Sequence, residues 1–129
     1  MTEANITVED VQIQNYTKPV KLLKISGQLD ESNVDEKAQI VYEVLTKTPD
    51  TSLIMDLENL DYMNSKSIGY LTDWYGKVSG SNGKMAILKA KPNINDVLEV
   101  VGLTQLIPVF QSVEEAKFFI SGAEGGAAK

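Results

Sequence analysis

A chain of 129 residues with 43% hydrophobic and 23% charged side chains has the size and balance of one globular domain that buries its own core, which excludes disorder as its default state. Twelve basic against eighteen acidic residues leave a formal net charge of −6, the wrong sign for nucleic acid or an anionic membrane surface. The absence of cysteine and histidine removes disulfides, thiol nucleophiles, imidazole bases and zinc sites built from those residues.

Along the chain, Ile6 to Gln14 is a β-branched, partly alternating run, read as a half-buried strand. Asn15, Thr17, Lys18 and Pro19 then supply a turn. Val20 to Ser26 carries apolar residues on both parities, as a strand covered on both faces does, and Gly27 is read as its end. These two segments are expected to pair antiparallel. After possible caps among Asp30, Glu31, Ser32 and Asn33, the residues Val34, Ala38, Val41 and Leu45 fall at helical spacing, up to Pro49-Asp50.

Ser52 to Leu57 reads as an interior parallel strand. The segment from Glu58 to Ser67 reads as a polar loop leading into a helix near Asn64-Ser65, whose apolar face is Ile68, Leu71, Tyr75 and Val78. Met85 to Leu88 is a buried strand, Pro92 to Val101 a short helix closed by Gly102, and Leu106 to Phe110 an edge strand because Pro108 cannot donate to a ladder. Ser112 with Glu115 forms a capping box for a last helix through Ala116, Phe119 and Ile120. The order β-β-α-β-α-β-α-β-α predicts one α/β domain over 1–121, a mostly parallel sheet with an antiparallel first strand and about four helices. A Gly/Ala-rich tail over 122–129 is expected to be flexible. Leu53, Ile54, Met55, Ile68, Leu71, Ile87, Leu88, Leu98 and Phe119 are the expected core.

Met1 to Thr7 shows no basic start with an apolar run, and no apolar stretch approaches transmembrane length. A cytoplasmic protein is the expectation. Ligands of open α/β sheets gather at the carboxyl ends of strands. Two polar loops occupy that rim here, Gly27 to Ser32 and Glu58 to Ser67. Ser65 has two compatible readings: a helix cap, Asn64 being the other candidate, and a phosphorylation site facing free amides and the helix dipole. Asp30 reads as a helix-initiating carboxylate and Lys66 as a solvated side chain able to neutralise a phosphate. The spacing of Asp56, Glu58 and Asp61 matches no calcium loop, and Gly80 to Gly83 no phosphate-binding loop. No metal and no cofactor is expected.

Three segments together resemble the STAS family, the domain of bacterial anti-sigma factor antagonists. They are Ile54-Met55-Asp56-Leu57 through Met63-Asn64-Ser65-Lys66-Ser67-Ile68-Gly69-Tyr70-Leu71, Gly27-Gln28-Leu29-Asp30, and Val101-Gly102-Leu103-Thr104-Gln105-Leu106 with the Ser-x-Glu-Glu-Ala helix after it. The resemblance implies a non-enzymatic regulatory module that binds an anti-sigma factor with serine kinase activity. It also implies phosphorylation at Ser65, with Ser67 as second choice, and a phosphatase to reverse it. Gln28, Asp30, Asn64, Ser65 and Lys66 are then the partner-binding residues. Asn64 stands where the family has Asp, Lys66 where it has a second Ser/Thr, and Ser67 where it has Gly. Two other functions compete: a constitutive scaffold in which Ser65 only caps, and a carrier of lipid or nucleotide with a pocket between helices and sheet.

Overall fold

The computed structural model describes residues 3–122, and its core is split by a sheet. Strand β1 (Ala4–Asp10) runs antiparallel to β2 (Val20–Leu29), and β2 is parallel to β3 (Ser52–Asp56), β3 to β5 (Met85–Leu88) and β5 to β6 (Val109–Phe110). A further short strand, β4 (Leu60–Met63), pairs parallel with the end of β2. The helices are α1 (Val34–Lys47), α2 (Ser65–Gly80), α3 (Pro92–Val100) and α4 (Val113–Ser121), with a 3-10 turn over Leu103–Gln105.

Alternation along β2 explains the layering. Leu23 and Ile25 point to one face, where they meet Val34, Ala38 and Val41 of α1, Leu71, Trp74 and Val78 of α2, and Ile94 and Leu98 of α3. Val20 and Leu22 point to the other, where Ile54, Ala86 and Leu88 lie under Ala116 and Ile120 of α4. A strand apolar on both parities is the signature of a sheet covered twice, and Ile54, Leu53 and Met55 are all fully enclosed. Ile68 and Phe119 are only half-buried, packed at the margins of their cores. Among the described residues no helix is long and apolar enough to cross a membrane.

Several boundaries differ from the sequence reading. The first strand stops at Asp10, and Val11 and Ile13 turn under α4 instead. Strand β2 does not end at Gly27 but bulges there and continues to Leu29. Gly27 has φ of 91°, and a Cβ would lie 2.1 Å from the Glu3 carbonyl oxygen, so only glycine permits the bulge. The supposed loop 58–67 contains β4, which has no alternating pattern to announce it. It forms because β3 occupies only Val20 to Lys24 of the ten-residue β2, leaving Gly27 to Leu29 free to pair with Leu60 to Met63. The edge strand is confined to Val109 and Phe110, since the chain first makes a 3-10 turn that buries Leu103. Of the predicted tail, Gly122 closes α4 in the left-handed conformation; 123–129 lie outside the described residues.

Candidate functional site

The register of β4 on β2 builds the rim. Leu29 is opposite Met63, and the Asn64 amide donates to the Leu29 carbonyl at 3.1 Å. Asp30 and Ser65 each lie one residue beyond that bond, so the two polar segments meet at a common point. Asn64 is the cap of α2: its Oδ1 accepts from the Ser67 amide at 2.9 Å and from Ser67 Oγ at 2.7 Å. Ser65 is therefore the first helical residue, exposed, and no side-chain hydrogen bond engages it among the described residues. Ser67 is buried beneath Asn64. Of the two serines, only Ser65 is exposed at the surface.

The other expected site residues play distinct parts. Gln28 is exposed, and its carbonyl accepts from Asn33 Nδ2 at 2.9 Å. Because neighbouring Leu29 enters the helix-covered core, strand alternation points the Gln28 side chain to the opposite face of the sheet. Asp30 does not cap α1. Its carboxylate accepts from the Ser32 amide at 2.9 Å and Ser32 Oγ at 2.6 Å, while its carbonyl receives the Val34 amide at 2.9 Å. Asn33 precedes the helix, buried, and its Oδ1 accepts from the Asp30 amide at 3.1 Å.

Lys66 is exposed but not simply solvated. Its Nζ lies 2.9 Å and 3.0 Å from the two carboxylate oxygens of Asp35 in the first turn of α1. Tyr70, one turn along α2, donates to the same carboxylate at 2.6 Å. The Tyr70 hydrogen bond, then Lys66, hold the Asp35 carboxyl below its ordinary range. That hydrogen bond also raises the Tyr70 phenol, and the bond to Asp35 raises the Lys66 ammonium. Deeper between the helices, Tyr42 donates to Asp73 and its ring meets Tyr70 and Trp74 edge-on. Burial first, then Asp73, pushes the Tyr42 phenol up to about 12. Asp35 and Tyr70 escaped the sequence reading. An acid in a first helical turn looks like ordinary dipole compensation, and only the i, i+4 spacing of Lys66 and Tyr70 hints that they share a partner.

The loop carboxylates are used separately. Asp56 accepts the Glu58 amide at 3.0 Å, Glu58 pairs with Lys89 at 3.8 Å, and Asp61 pairs with Lys91 at 2.6 Å. Asn93 also donates to the Asp61 carbonyl at 3.0 Å, tying α3 to β4. Between helices and sheet the space is filled by Leu23, Leu53, Met55, Leu71 and Trp74.

A mixed sheet whose long second strand is shared by two shorter neighbours, with three helices on one face and one on the other, is the architecture of a STAS domain. The STAS domain model matches residues 11–116, and the chain belongs to that family. It is 23% identical over 104 residues to an anti-sigma F factor antagonist of Paenibacillus polymyxa, covering 80% of this chain and 89% of that protein. The crystal structure of an anti-sigma factor antagonist from Mycobacterium paratuberculosis shares the fold, with TM-score 0.77 and 19% identity over 92% of this chain and 94% of the other. So does the Bacillus cell fate determinant SpoIIAA in its phosphorylated form, with TM-score 0.66 and 20% identity over 87% and 96% of the two chains.

Proposed function

We propose that this chain is an anti-sigma factor antagonist, a cytoplasmic regulatory module that binds an anti-sigma factor with serine kinase activity and is switched at Ser65. The observation that carries this reading is the exposed Ser65 hydroxyl at the start of α2, left free because Asn64 does the capping. The unmodified rim, with Gln28, Asp30, Asn64, Ser65 and Lys66, is the docking surface of this reading, and the likeness to a named antagonist supports the antagonist role itself. In the switching step the Ser65 Oγ–phosphorus bond forms as the γ-phosphoryl group leaves ATP. ADP departs, and the hydroxyl proton passes to a base of the kinase.

The product suits its position. A phosphate adds about −1.5 to −2 charge at the positive end of a helix, where free amides favour an anion, so the fold tolerates it while the docking surface changes. A phosphatase resets the module. Pull-down from the native host with and without ATP, followed by phosphosite mapping, tests the reading. An ATP-dependent loss of one partner together with phosphate on Ser65 supports it. A partner whose affinity ignores ATP, with both Ser65 and Ser67 unmodified, leaves a constitutive scaffold.

A further inference from the structure

Lys66 carries its charge where helix physics disfavours it. It lies in the first turn of α2, which contains no acidic residue, so a cation sits at the positive end of the helix dipole. What holds it lies across the gap between helices: both oxygens of Asp35 contact Nζ, and Tyr70 donates to the same carboxylate. The three side chains thus bridge the starts of α1 and α2 immediately beside Ser65. Lys66 and Asp35 are 57% and 60% exposed, so the bridge yields to a stronger competitor at little cost.

Given Ser65 as the phosphate acceptor, on which this inference rests, we propose that Asp35, Lys66 and Tyr70 form a latch between α1 and α2 that the phosphoryl group opens by drawing Lys66 off Asp35. A phosphoserine offers about −1.5 to −2 charge and three acceptor oxygens, against a single charge on Asp35. Adjacent helical residues point about 100° apart, so Nζ has to swing away from Asp35 to reach a phosphate on Ser65. It exchanges one for the other. Lys66 then pairs with an anion that the first-turn amides of α2 also favour. Asp35 keeps Tyr70 but loses its cation, while the negative charge beside it at Ser65 grows. Modification is read twice, as new charge at Ser65 and as a loosened join between two helices.

Phosphoserine encoded at position 65 of the full chain tests the latch without any kinase. In a phosphorus NMR titration, the second ionisation of the phosphate is expected about half a pH unit lower than in the same chain carrying Lys66→Gln. With Asp35→Asn, the competitor is gone and the ionisation moves lower still. The Asp35 carboxyl, followed by carbon NMR, is expected to titrate higher in the phosphorylated chain than in the unmodified one. A phosphate titration indifferent to Lys66→Gln, or an Asp35 titration unchanged by the phosphate, overturns the latch. Since the phosphate is built in during synthesis, a failed latch leaves the Ser65 switch standing if a kinase modifies that serine. A working latch in a chain that no ATP-dependent partner modifies removes the switch alone.

Discussion

The starts of α1 and α2 lie side by side on one rim, yet they are held by different means. At α1, Asn33 makes no bond to the helix amides; it is buried and spans from the Asp30 amide to the Gln28 carbonyl. Asp35 and Glu36 supply the anions of its first turn. At α2, Asn64 caps the helix with its own side chain, and the first turn holds a lysine and no acid. The first start is hung on the end of β2, whereas the second is capped locally and borrows its anion from its neighbour. The borrowed contact is largely exposed on both sides, and it lies beside the exposed serine.

The largest expected effect strikes the frame on which α1 hangs. Gly27→Ala places a Cβ against the Glu3 carbonyl at a φ of 91°, for a cost of roughly 3 kcal/mol or more, measurable by denaturant unfolding. Hydrogen exchange should then show the start of α1 losing protection before the start of α2. Equal loss at both would break the contrast between them.

Removing each asparagine sharpens it. Asn33→Ala deletes both bonds of a buried amide and should cost about 2 kcal/mol. Asn64→Ala removes a cap and leaves the buried Ser67 hydroxyl without its acceptor, for about 1–2 kcal/mol. Nuclear magnetic resonance of the Asn33 variant should show disturbance spreading into β2, whereas that of the Asn64 variant should stay within α2.

Stability should also fall at alkaline pH. The Tyr42 phenol titrates near 12 in the folded chain against an ordinary 10.0, so between those values the folded chain holds more protons and stability declines as pH rises. Tyr70 and Lys66, both raised, add loss of the same sign. Tyr42→Phe should flatten the fall of Tm across that window without abolishing it. At the acid end, the contribution of Asp35 is present above the ordinary carboxylate value of 3.8 and is lost as pH falls through its lowered value.

The smallest effects on stability belong to the proposed switch residue. Ser65→Ala should change unfolding free energy by less than about 0.5 kcal/mol, because Asn64 rather than Ser65 caps the helix. If Ser65 is the acceptor proposed above, the same variant should end phosphorylation while calorimetry finds binding of the unmodified partner largely intact. A loss as large as that of Asn64→Ala would mean that Ser65 shares the capping.

Apart from β4, element order was legible in the chain because helix period, strand parity and turn chemistry are local. Ser112 and Glu115 predicted the start of α4, where Ser112 Oγ accepts the Glu115 amide at 3.2 Å, although Glu115 reaches back to Gln111 rather than to Ser112. Pro108 and Gly102 likewise marked the edge strand and a helix end. The motif around Ser65 was legible too, but which asparagine, serine or aspartate did which task was not. Strand β4 exists because β3 stops short along β2, and Ser67 is buried because Asn64 folds over it. Lys66 finds Asp35 31 residues away. Local spacing is written in the order of residues, whereas pairing register and long-range charge contacts depend on which elements tertiary packing brings together. That is why Ser65 could be placed at a helix start from the sequence, while the lysine bridge beside it was decided only by the fold.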